Sequence, residues 1–175
     1  AGRARQAAVV PSLHAALKHP DREVRMAVVE ALVKIRSNPA LNTLTDALED
    51  PDREVRIAAV KALGEVRFAS ARDRLARLID GRHLKDADLT EKLAFFEAFG
   101  AVGGSAAVDR LSEILNRKGF LGRRNPTDTR ACAALALGQA ATPAARSALE
   151  EARNDEDSVV RNAVIRALRQ EASAS

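Results

Sequence analysis

Pro20-Asp21-Arg22-Glu23-Val24-Arg25 recurs unchanged as Pro51-Asp52-Arg53-Glu54-Val55-Arg56, a period of 31 residues. The correspondence continues downstream, where Ala31-Leu32 matches Ala62-Leu63, Leu44 matches Leu75 and Leu48 matches Ile79. Three weaker copies follow. Ala98-Phe99-Gly100, Ala136-Leu137-Gly138 and Ala167-Leu168 fall in the slot of Ala62-Leu63-Gly64, with Lys92, Arg130 and Arg161 in the slot of Arg56. Successive copies are offset by 31, 36, 38 and 31 residues. Self-similarity at such periods marks an array of supersecondary units, each unable to bury its apolar face alone.

The spacing predicts two helices per copy. From Arg22 to Arg36, Val24, Ala27, Val28, Ala31, Leu32 and Ile35 recur at three- and four-residue intervals, the stripe of an amphipathic helix. Ser37-Asn38-Pro39 breaks it, and Leu41, Leu44 and Leu48 form the stripe of a second, shorter helix ending near Asp50-Pro51. Asp21, Asp52, Asp88 and Asp157 stand where a helix N-cap is wanted, because a carboxylate accepts from unpaired first-turn amides. In the fourth copy that slot is Pro126, so Asn125 is expected to cap instead. Gly103-Gly104 reads as a turn between helices, with Ser105 as the next cap.

The Asp-x-x-Val-Arg-x-x-Ala start and Ala-Leu-Gly ending resemble the short bacterial HEAT-type repeat, the form also found in phycobilisome-lyase-like proteins. HEAT units usually run to ~40–47 residues, so copies of 31 are compact. The fold expected is all-α: a right-handed α-solenoid of about five HEAT-like two-helix repeats in a single domain, 1–175. Repeat starts fall near 21, 52, 88, 126 and 157, and 1–18 is a partial repeat, the tail of a first helix running into a second-type helix near Val9 to Lys18. The resemblance implies first helices on the convex side and second helices on the concave side, which the family uses to hold partners. With no initiator Met and no polar capping repeat, the chain reads as a segment of a longer protein, or an array whose ends meet other domains or copies of itself.

Composition excludes several function classes. A single cysteine, Cys132, leaves no disulfide framework, and its alignment with Ala27, Ala58, Ala94 and Ala163 makes it a small buried packing residue. His14, His19 and His83 form no pair at metal-ligand spacing, and the His-Glu pairs on which HEAT-type di-iron hydroxylases depend are absent. Alkylpurine DNA glycosylases of HEAT-like build present aromatics including Trp to the damaged base, whereas this chain has no Trp, no Tyr and five Phe. Phe95, Phe96 and Phe99 are core by size and spacing. No catalytic constellation, cofactor or metal site is expected, and no apolar run approaches a membrane span. The default is a soluble, cytoplasmic protein.

Candidate contact residues come from three places. Asp21, Asp52, Asp88 and Asp157 with Arg25, Arg56, Lys92, Arg130 and Arg161 form a ladder, which the resemblance implies is structural, bonding within and between units; Lys92 would keep the pair with Asp88. A phosphate-binding ladder is the competing reading. On the second helices, outward rows read Ser12, Thr43, Arg74, Arg110, Ala148 and Ala15, Asp46, Arg77, Glu113, Glu151, so Arg74, Arg77 and Arg110 make a basic spot. A continuous basic stripe is missing, which argues against nucleic acid. The two long offsets place insertions at 80–86 and 116–125 on one edge. The second carries Arg117, Lys118, Arg123 and Arg124 around Phe120 and Leu121, either an electropositive contact element or an apolar pair folded over the groove between repeats. Together these predict a non-catalytic scaffold for another protein or a neighbouring domain of the same chain. The alternatives are a bilin lyase or lyase-accessory protein, suggested by the repeat type alone, and, more weakly, phosphate-backbone binding.

Overall fold

The computed structural model describes residues 2–116 and 124–174, with side chains for 9–116 and 124–170. Eleven α-helices and no strand occur among the described residues. The first helices of the repeats are α2 (Arg22–Ile35), α4 (Arg53–Glu65), α7 (Leu89–Val102), α9 (Thr127–Ala140) and α11 (Ser158–Ala174), each beginning one residue after an expected repeat start. Between them run the second helices α3 (Asn38–Leu44), α5 (Arg72–Asp80), α8 (Gly104–Asn116) and α10 (Pro143–Glu151). The two remaining helices are α1 (Gly2–Ala16) and a short α6 (Arg82–Asp86). Each first helix packs beside the next to form one layer, and the second helices cover it from the other side, the two-layer arrangement of an α-solenoid.

Local chemistry explains the boundaries. Asp21, Asp52, Asp88 and Asp157 each accept from first-turn amides, for example Thr90 N to Asp88 at 2.8 Å and Val159 N to Asp157 at 2.9 Å. The fourth repeat departs from the cap expected of Asn125: Pro126 occupies the cap with no side-chain bond, and the Asn125 amide instead donates to the Ile114 carbonyl at 3.0 Å. Proline at the cap pre-sets the backbone, so Asn125 is free to tie α9 to the preceding helix. Nor is Ser105 a cap, because α8 already begins at Gly104, which takes a φ of 59°. Arg36, Arg67 and Ala141 adopt the same left-handed conformation in the equivalent turns of the other repeats, at φ of 51°, 50° and 48°. The N-terminal stretch is one continuous helix, α1, rather than the end of one helix followed by another.

The core is a column of side chains from equivalent slots. Leu32, Leu63, Phe99 and Leu137 are buried, as are Phe95 and Phe96, and each such apolar side chain contributes about 1.5–3 kcal/mol. The glycine of the Ala-Leu-Gly ending lies inside the last helical turn, not beyond it. A Cβ built on Gly100 would stand 2.3 Å from the Ala136 carbonyl oxygen, and one on Gly138 would stand 3.0 Å from the Cβ of Ala167. These glycines let consecutive first helices approach to backbone contact.

Candidate functional site

In the first four repeats the cationic slot four residues after the cap is filled by a buried side chain that reaches forward to the next repeat. Arg25 donates through Nε and Nη2 to Asp50, at 2.8 and 3.0 Å, and through Nη1 to the His19 and Pro20 carbonyls. Arg56 grips Glu91 in the same two-pronged way, at 2.5 and 3.0 Å, with Nη1 on the Asp50 and Pro51 carbonyls. Arg130 holds both oxygens of Asp155 and donates to the Leu115 carbonyl at 3.0 Å. Lys92 does not pair with Asp88, as the spacing suggested: its Nζ donates to Asp128 and to the Lys85 carbonyl. Asp88 is occupied by its own cap and by Arg53 of the preceding repeat, whose Nη2 donates to it at 3.0 Å. That bond first, then the Glu91 amide, brings the Asp88 carboxyl down to about 2. Glu91, Asp128 and Asp155 are each pushed up by burial but end below their ordinary range, held there by Arg56, Lys92 and Arg130 respectively. The four buried cations are thus structural rivets between repeats, with their donors directed inward and unavailable to a phosphate chain.

The partner carboxylates are residues the sequence reading missed. Asp50 and Asp155 each lie 25 residues beyond their cation and two before a cap, where each also accepts the cap residue's amide, Asp52 N at 2.8 Å and Asp157 N at 3.0 Å. That shared interval was available as a signal. Glu91 had none, because it substitutes for Asp86, which the insertion at 80–86 leaves exposed.

The insertion at 80–86 is itself structural. Its residues form α6, which buries Leu84 against the core, sets His83 Nε2 at 3.2 Å from Glu91 Oε1, and offers the Lys85 carbonyl to Lys92. Of the second insertion, Arg117, Lys118, Phe120, Leu121 and Arg123 lie outside the described residues. Arg124 is described, and its Nη1 donates to Asp155 at 3.0 Å, joining the Arg130 rivet.

The expected basic spot on the second helices is largely neutralised across repeats. Arg74 donates to Asp46 at 3.0 Å and to Glu49, and His14 Nε2 lies 3.1 Å from the same Asp46. Arg110 donates to Asp80 at 2.6 Å and to Glu113 at 3.0 Å. Arg77 is exposed with no partner among the described residues. Two positions of the outward rows, Thr43 and Ala148, are buried.

An apolar concavity lies on the other layer, across α7, α9 and α11. Its floor is α9, whose Ala131, Cys132 and Leu135 are small or recessed, while Leu89 and Leu93 rise on one side and Val159 and Arg166 on the other. The groove measures about 630 Å³. Leu89 and Val159 are 58% and 54% exposed, which is unusual for apolar side chains of their size. Cys132, 1% exposed, has its thiol pushed up to about 12, chiefly by burial, and is a packing residue rather than a nucleophile. Beside the groove, burial raises the Glu97 carboxyl, against the opposing pull of Arg166 and Lys61. Among the described residues no group of three or more metal-ligating side chains converges, and no helix is long and apolar enough to cross a membrane.

The family described as HEAT repeats matches the chain at residues 1–52, 41–125 and 118–169. No curated protein matches it. Among solved structures, a crystal structure of an engineered protein shares 19% identity over 99% of this chain and 85% of its own, at a TM-score of 0.49. Human deoxyhypusine hydroxylase in complex with glycerol shares 17% identity over 94% of this chain and 84% of its own, at a TM-score of 0.37.

Proposed function

Since the chain belongs to the HEAT-repeat family, we propose that it is a non-catalytic protein-interaction scaffold whose contact surface is the apolar groove across α7, α9 and α11. The observation that carries this reading is the pair Leu89 and Val159, two of the most exposed large apolar side chains, facing each other across a floor of small residues. Such a cleft fits the apolar stripe of a partner helix or loop. The basic residues Arg117, Lys118 and Arg123 lie in the chain directly before the floor helix, so an acidic flank on the partner would find complementary charge there. An apolar cleft, together with cations already engaged by carboxylates, suits a protein surface better than a phosphate backbone.

The test is affinity capture with the wild-type chain, with a Leu89→Asp/Val159→Asp variant and with a variant lacking the 117–123 cations, followed by purification of the captured protein and direct titration. The groove variant should abolish binding, and the loop variant should weaken it in a salt-dependent manner. Binding unchanged by Leu89→Asp/Val159→Asp would remove the groove as the contact surface.

A further inference from the structure

Two apolar residues of the groove stand in slots that the repeat does not need to be apolar. The Leu135 slot is charged in every other repeat, as Glu30, Lys61, Glu97 and Arg166, and the Leu89 slot is polar in every other repeat. Leu89, Leu93 and Glu97 then follow one another at four-residue intervals along α7, so this wall passes from apolar to acidic within about two turns. One turn beyond Leu93 and Leu135, Glu97 and Gln139 border a second depression of about 500 Å³, floored by Gly64, Ala94 and Ala98 and rimmed by Lys61. Because α7 is flanked by α4 on one side and α9 on the other, the junction between groove and depression is bounded by a repeat on both sides.

Glu97 is the anomaly at that junction. It is partly buried, yet among the described residues it makes no hydrogen bond and no ion pair. Lys61 and Arg166 pull on it without touching it, and both are exposed, where water screens them. Burial therefore prevails and the Glu97 carboxyl stays raised, whereas Glu91, Asp128 and Asp155, raised by burial too, are brought below their ordinary range by a cation in contact. A partly buried carboxylate without a donor weakens the fold and is relieved by a donor that arrives from outside. We propose that the groove takes an amphipathic helix of another protein, whose apolar stripe seats between Leu89 and Val159 and whose Lys or Arg, about two turns further along, donates to Glu97. This inference rests on the groove as contact surface and adds the charge its partner must carry. A second copy of this chain fits worse, because two concave grooves face to face would leave their α9 floors apart, whereas a convex helix fills the floor.

The probe is a display library of helical peptides with an apolar pair fixed four residues apart and the positions four residues before and after that pair randomised. It is selected on the immobilised wild-type chain and, separately, on Glu97→Gln, which keeps the shape of the side chain, and on Glu97→Lys. The expected result is that Lys and Arg prevail at a randomised position on the wild type, that the preference disappears on Glu97→Gln, and that it turns to Asp and Glu on Glu97→Lys. The selected peptide, titrated by fluorescence anisotropy, should bind Glu97→Gln about ten-fold more weakly than the wild type. The proposal is overturned by no enrichment, by selected peptides without a cation preference, or by the same preference on Glu97→Gln. Selected peptides without that preference that still fail on Leu89→Asp/Val159→Asp would leave the groove as contact surface, while peptides indifferent to both sets of changes would remove the groove as well. A dimer of the wild-type chain in sedimentation that the peptide displaces would make the occupant a second copy and overturn the proposal too.

Discussion

Gly100→Ala tests whether backbone-to-backbone approach of the first helices holds the array together. On an isolated helix the change would be favourable by about 1 kcal/mol, since alanine is the better helix former. Here the added methyl would lie 2.3 Å from the Ala136 carbonyl oxygen, roughly 1 Å inside van der Waals contact, and its next neighbours are also Ala136 backbone atoms, at 3.0 and 3.4 Å. A side chain could rotate away, but a helical carbonyl cannot, so α7 and α9 must separate. Overpacking of this kind costs about 3 kcal/mol, the upper end of its usual range, because the obstacle is rigid. The net expectation is a loss of about 2 kcal/mol, or a melting temperature lower by roughly 4–8 °C for a chain of this size. Far-UV circular dichroism in urea is the assay, as the chain has no Trp or Tyr to report by fluorescence. Gly138→Ala, with its nearest obstacle a methyl at 3.0 Å, should lose less. A Gly100→Ala protein as stable as the wild type would refute the close-approach argument.

Four further outcomes follow from the same geometry. Asp155→Asn strips the carboxylate from Arg130, both side chains being 6% exposed or less, and should cost about 3 kcal/mol in urea unfolding. Arg36→Gly, at a φ of 51°, relieves a left-handed conformation and should stabilise by about 0.5–1 kcal/mol in the same assay, after the added chain entropy of glycine is subtracted. The carboxyls of Asp88, Glu91, Asp128 and Asp155 lie lower in the folded chain than in the unfolded one. Their stabilisation is therefore complete above the ordinary carboxylate range and lost as pH falls through the folded values, for Asp88 about 2, so urea midpoints should stay flat from neutral pH down to about 5 and drop below about 4. Glu97 has the opposite sign: its raised carboxyl works against folding above the ordinary range, so Glu97→Gln should raise the urea midpoint at neutral pH and leave it unchanged at pH about 3.

Much of the fold was legible because it follows from short-range rules. Asp21, Asp52, Asp88 and Asp157 announced helix starts by an interaction with amides two and three residues away. The apolar stripe and the Ala-Leu slots named the core, including Phe99 and Cys132. The contact surfaces were less accessible. Arg74 and Arg110 read as open cations, since the carboxylates that engage them, Asp46 and Asp80, come from the neighbouring repeat. The 80–86 insertion read as a polar edge loop, yet one residue, Leu84, folds it onto the core.

By itself, then, the sequence determined the repeat, its helices and its caps, because those depend on residues within one or two turns of each other. Only the tertiary structure decided which carboxylate each buried cation holds, that the Ala-Leu-Gly glycines serve helix approach, and that α9 is recessed between Leu89 and Val159. These depend on the distance between adjacent repeats, a quantity set by packing across about 25 to 36 residues of chain and invisible to any local pattern.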